Sequence, residues 1–213
     1  MLLRAFRNNL LPALVLWGFA LALLVLYHLH APTRIAFDRL ADLKSALGLW
    51  FSMPAQALAA GVLPYLFQKW QRGDHRKTRL SHVPFLMLFF AGMGAANDIF
   101  YAFQAQIFGD DAQFRTIALK TGFDMLVYTP FFSVPLVVLA FAFKDSDFSP
   151  ARTRAHLGRD WISRRVVPLY VAALMVWTPT VMVLYALPLA LQFPFQAIVQ
   201  CFWGLILVIM TDK

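Results

Sequence analysis

Two carboxylates, Asp98 and Asp124, stand inside long apolar runs of the chain. A charge at the centre of a hydrocarbon layer costs about 2.5–3.5 kcal/mol on insertion scales, so such a residue needs a partner or a task. Two carboxylates brought together could share one proton. Polar residues fall around each at helical spacing. Asn97, Tyr101 and Gln104 follow i, i+4, i+7 and share one helical face, with Asp98 beside it. Lys120 and Asp124 are one turn apart and can pair, and Tyr128 continues their face. Lys120, near a membrane edge, can also snorkel to headgroups. Gln196 and Gln200 form another i, i+4 pair with Trp203 close to it, and Ser52 and Gln56 form a further one. Turned inward in a bundle, these stripes either line a water-filled path for small solutes or pin a dry bundle through interhelical hydrogen bonds. Bonds of the second kind contribute about 0.6 kcal/mol each. The sequence leaves both readings open.

Other chemistries find little support. No His-Glu-x-x-His, Gly-x-Ser-x-Gly or phosphate-loop pattern occurs. His28, His30, His75, His82 and His156 lie in or beside expected loops, and nothing sets a nucleophile or metal next to the carboxylates. Cys201 is the lone cysteine and sits in an apolar run, which suits a small buried hydrophobe. No catalytic residue, metal or cofactor is therefore expected.

The elements that must carry these residues are membrane helices. The chain has 213 residues, 60% hydrophobic and 14% charged, with mean hydropathy +0.62. Soluble domains are about 45–50% apolar and about 25% charged. A soluble protein of this size could not hide so much apolar surface. A spanning helix needs about 20 mostly apolar residues, and segments near Leu10–Leu29, Ala46–Gln68, Val83–Ile107, Ile117–Phe143, Val166–Leu191 and Pro194–Met210 come close. The first reads as an uncleaved anchor, because its exit, His28-Leu-His-Ala-Pro32, lacks a small-x-small cleavage pattern. The second is weakened by Ser52, Gln56, Pro54 and Pro64.

Charge tests that count. Lys and Arg concentrate in cytoplasmic loops. With six spans and a cytoplasmic N-terminus, the interior receives Arg4, Arg7, Lys69, Arg72, Arg76, Lys77, Arg79, Lys144, Arg152, Arg154, Arg159, Arg164, Arg165 and Lys213. The exterior keeps only Arg34, Arg39, Lys44, Arg115 and Lys120. Without the second span, the two largest basic clusters would face opposite sides. The net charge of +8 thus belongs to the loops and suits anionic lipid headgroups rather than nucleic acid, for which no motif is present. The connection from Lys144 to Arg165 carries Leu157, Trp161 and Ile162 among charges and predicts either a short amphipathic helix at the interface or a solvated basic loop.

Several residues resemble a known family. Lys120-x3-Asp124-x5-Pro130-Phe-Phe, Tyr185-Ala-Leu-Pro188 followed by Trp203, Gly94 with Tyr101, and Leu157-Gly-Arg-Asp-Trp161 are similar to signatures of the Mpv/PMP family of mitochondrial inner-membrane and peroxisomal-membrane proteins. Met125 stands where that family has Gln, and Asp98 where it has His. The resemblance covers residues 45–213 and describes a distant, bacterial-type member with an extra N-terminal helix. Residues 1–44 then form an anchor helix and connecting loop. It implies a small multi-span protein without enzymatic activity, with some members described as weakly selective channels.

The expectation is an all-α, polytopic transmembrane helical bundle of five to six spans, in the cytoplasmic (inner) membrane with both termini cytoplasmic. A weakly selective channel or solute-permeation protein leads among functions. In it Asp98 and Asp124 set cation preference or gating and Lys120 holds Asp124. Asn97, Tyr101, Tyr128, Gln196 and Gln200 complete the polar lining. The alternatives are a structural or assembly protein without transport and, last, a lipid-acting enzyme. The lipid bilayer is the expected partner, nucleic acid is not, and a homo-oligomer stays open.

Overall fold

A stripe of small and apolar residues in the first helix sets the packing of the molecule. Ala13, Leu16 and Ala20 recur at i, i+3, i+7 and are wholly buried. The computed structural model describes residues 2–70 and 79–211, the backbone alone for 2–9, Pro12 and 205–211. Arg72, Arg76, Lys77, His75, Lys213 and both chain ends lie outside the described residues, as do the side chains of Arg4 and Arg7.

All regular structure among the described residues is helical. Helix α1 is Leu2–Leu29 and α2 is Ala31–Leu47. Helix α3 covers 49–70, with π-helical turns over Ala57–Val62 between α-helical ends. Helix α4 is Val83–Phe108, entered through a 3₁₀ turn at Leu80–His82. Helix α5 is Phe114–Asp145, π-helical over Asp124–Ser133. Helix α6 is Pro150–Leu157, α7 is Ile162–Tyr185 and α8 is Leu189–Thr211.

Among the described residues three helices are long and apolar enough to cross a membrane: Leu80–Phe108, Phe114–Asp145 and Ile162–Tyr185. A fourth span forms if Ala13–Leu29 and Ala31–Leu47 are taken together, bent by 100°. The bend has a local cause. His30 takes an extended backbone and Pro32, which has no amide hydrogen, fits the first turn of a new helix.

Residues 31–44 are thus helical, not the loop expected from the sequence. Their charges read as solvated, but Phe37 is buried against the core and Lys44 turns inward. Gly48 adopts φ +53, a left-handed conformation that suits glycine, and turns α2 into α3. The connection after α5 differs as well. Ser149 accepts from the Arg152 amide to cap α6, which stops at Gly158. Leu157 and Trp161 pack on Val134, Val138 and Val166, whereas Ile162 begins α7 and is exposed. No single amphipathic helix runs from Ala151 to Arg165.

Helix α3 runs antiparallel to α4. Close approach is set by glycine: a Cβ on Gly94 would lie 2.6 Å from the Ser52 carbonyl oxygen and 2.7 Å from Gln56 Cβ. Gly61 similarly meets the backbone of Met87 at 3.1 Å. A Cβ on Gly92, by contrast, would meet nothing within 4 Å. This register puts the first turn of α3 level with Asp98. It begins about 15 Å of helix short of the α4 terminus at Phe108.

The main core draws on both halves of the chain. Ala13, Leu16, Ala20, Tyr27 and Phe37 share it with Phe100, Tyr101, Val176, Leu184, Phe193 and Phe195. Trp17 Nε1 donates to the Val176 carbonyl at 2.9 Å, tying α1 to α7.

Candidate functional site

Proline creates the site. Pro130 has no N–H, and in the π register of Asp124–Ser133 the carbonyl left without a donor is that of Met125. Tyr170 of α7 donates its hydroxyl to that oxygen at 2.9 Å. The freed group is thereby satisfied, as a low-dielectric surrounding requires. The widened helix turns Asp124, Tyr128 and Thr129 into the bundle.

A cavity of about 720 Å³ follows α5 from Asp124 to Asp145, roughly 30 Å of helix. It has two different ends. Around Asp124 the walls are Tyr101, Met125, Thr180, Val181 and Leu184, all buried. Around Asp145 they include Phe141 and Leu169, both over a third exposed. The Asp124 end, the blind end, is thus lined mainly by buried residues, and the Asp145 end is the more exposed. At the open end Lys144 Nζ pairs with Asp145 at 2.7 Å.

Six expected polar residues line this cavity: Asn97, Tyr101, Asp124, Tyr128, Gln196 and Gln200. Trp203 lines it too and packs edge-on against Trp177 at 6.5 Å. Tyr128 donates to Asn97 Oδ1 at 2.8 Å and stacks on Phe100 at 3.9 Å, joining α5 to α4. The Oε1 atoms of Gln56, Gln68 and Gln196 have no hydrogen-bond partner, and all three residues line the cavity.

Asp124 accepts two neutral hydroxyls. Tyr185 donates to Oδ2 at 2.8 Å and Thr129 to Oδ1 at 3.2 Å. Gln104 Nε2 donates to the Tyr185 oxygen at 2.6 Å. Gln104, Tyr185 and Asp124 thus link α4, α7 and α5 across the blind end.

Lys120 does not hold Asp124. Its ammonium pairs with Asp110 Oδ1 at 3.3 Å and lies 5.6 Å from the Tyr185 ring centre. Side chains on a helix lean toward its N-terminus, here toward Asp110, while Tyr185 and Thr129 turn Asp124 the other way. Asp110 also accepts from the Leu189 amide at 3.3 Å and Gln192 Nε2 at 3.4 Å. Pro188 sits exposed beside that amide. An ion pair between the buried Lys120 and the surface carboxylate of Asp110 therefore backs the blind end.

Asp98 is not in the cavity wall. It pairs with Lys44 Nζ at 2.8 Å and accepts from Ser52 Oγ at 2.7 Å. It shares no bond with Asp124, so the carboxylates form no proton-sharing dyad.

Sequence reading passed over Lys44 as a partner, and Tyr185, Tyr170, Asp110, Gln192 and Lys144 as members of the site. Lys44, Tyr170, Tyr185 and Gln192 lie far along the chain from what they touch, so spacing held no signal for them, whereas Asp110 and Lys144 are near their partners and read as ordinary loop charges. Among the described residues no three His, Cys, Asp or Glu side chains converge on a metal-binding point.

Among the described residues the chain is all-helical, with three to four candidate membrane spans. No protein-family model, curated protein or solved structure matches the chain.

Proposed function

We propose that the chain is an integral membrane protein of five or six spans that admits small solutes through its central cavity. The cavity along α5, with a polar blind end and an open end at Asp145, is the observation that carries this reading. The basic loop residues support a cytoplasmic Asp145 end, next to anionic headgroups. Tyr185, bonded to Gln104 and Asp124, is the gate, and the Lys120–Asp110 pair is the layer behind it. The resemblance to the Mpv/PMP family agrees and rests on Lys120, Asp124, Pro130, Pro188 and Trp203. Of the two carboxylates only Asp124 faces the path.

Flux into proteoliposomes tests it. Purified protein should raise release of a small entrapped solute above protein-free vesicles. Tyr185→Ala should raise it further, by severing the bridge across the blind end. Equal release from loaded and protein-free vesicles, with folded protein in the membrane, sinks the proposal.

A second reading has its own support. The Asp98–Lys44–Ser52 and Tyr128–Asn97 bonds pin helices together and need no path. A structural protein predicts no flux, and loss of detergent stability when those bonds are cut.

A further inference from the structure

We infer that the blind end of the cavity is a binding site for an organic ammonium ion, with Asp124 as its counter-ion. The inference rests on the permeation reading for its route of access and adds the class of solute.

Charge carries the argument first. Asp98 has Lys44, Asp110 has Lys120 and Asp145 has Lys144. Asp124, 5% exposed, has only the hydroxyls of Tyr185 and Thr129. Among the described residues no cationic nitrogen lies within ion-pair distance of it. Lys144 and Asp145 neutralise each other at the mouth, which leaves the carboxylate as the uncompensated charge of the cavity.

The walls supply what a cation needs. Tyr101, Tyr128 and Trp177 present aromatic surface, whose negative faces attract ammonium groups. Gln56 and Gln196 are more than nine-tenths buried, and their unpartnered carboxamide oxygens add the negative ends of two dipoles. Size selects the class of cation. Small-molecule pockets span about 300–1,000 Å³, and this one falls well inside that range. A bare metal ion would leave most of the space unfilled, whereas an ammonium with an apolar body can lay that body against the aromatic walls.

The test uses the full-length protein in nanodiscs of zwitterionic lipid and radiolabelled phenyltrimethylammonium as probe. The competitor is N,N-dimethylaniline, nearly the same shape, at a pH where it is uncharged. Saturable binding is expected, with the neutral competitor weaker than unlabelled probe by about tenfold or more. Asp124→Asn should weaken the probe by a similar factor. The paired change Asp98→Leu with Lys44→Met, outside the cavity wall, should bind as the unaltered protein does. Absence of saturable binding, or equal competition by the neutral compound, overturns the site. The competition is read on the unaltered protein, so it stands even if Asp124→Asn does not fold. A folded Asp124→Asn with undiminished affinity overturns it as well. Probe binding without vesicle flux keeps the site and removes permeation, whereas flux without cation preference keeps permeation and removes the site.

Discussion

Asp98 and Asp124 stand equally far along their helices from the α4–α5 connection and are treated in opposite ways. Asp98 is ten residues before the end of α4 and Asp124 ten residues after the start of α5, each about 15 Å along its helix. Asp98 meets an ammonium, a hydroxyl and packed backbone. Asp124 meets two hydroxyls on one side and an open cavity on the other. A buried carboxylate with its own cation closes a structure, since its field is cancelled where it arises. A buried carboxylate with only neutral donors keeps its field and directs it into whatever space it faces. The polar residues of this bundle are thus of two kinds, although their spacing in the sequence is the same.

The largest expected effect comes from unbalancing the closed side. Asp98→Asn leaves the Lys44 ammonium, 17% exposed, without its counter-charge, and should cost about 3 kcal/mol. Removing both charges, Asp98→Leu with Lys44→Met, should recover most of that loss. Thermal unfolding in detergent reads both. Asp124→Asn strands no cation and should cost well under half as much. If the two single changes destabilise equally, the distinction between the carboxylates fails.

A smaller effect tests the backbone contact beneath Asp98. Gly94→Ala pushes a methyl group against the Ser52 carbonyl, which is backbone and cannot swing away. Overpacking of this kind costs about 1–3 kcal/mol. Gly92→Ala, with open space around it, should be neutral or stabilising by up to ~1 kcal/mol. The same melting curves compare them, and a harmless Gly94→Ala would mean that α3 and α4 are not locked at this crossing.

What could be read from the sequence follows from range. Helical periodicity is local, so α4, α5 and α7 announce themselves, and Asn97, Tyr101, Asp124, Tyr128, Gln196 and Gln200 could be selected as inward-facing by spacing alone. Pairing is not local. Lys120 and Asp124, one turn apart, look like partners, yet Asp110 and Tyr185 separate them. Lys44 looks like a loop charge because α2 is too polar to read as a bundle helix, and only the bend at His30 brings it to Asp98. Gly92 and Gly94 cannot be told apart without the register of α3.

The smallest effect sharpens the open side. Tyr170→Phe removes the donor to the Met125 carbonyl, the group freed by Pro130. An unsatisfied buried acceptor costs about 1–2 kcal/mol. The loss should be local, because α5 is anchored before the π stretch by the Lys120–Asp110 pair and after it by Val134 and Val138 in the second core. Hydrogen exchange then discriminates. Amides of Asp124–Ser133 should exchange faster in Tyr170→Phe, while those of Leu49–Gln56 opposite Asp98 keep their protection. Uniform loss of protection over both segments would make the cavity wall and the pinned side one cooperative unit, and the contrast between the carboxylates would then be one of charge alone, without a matching difference in rigidity.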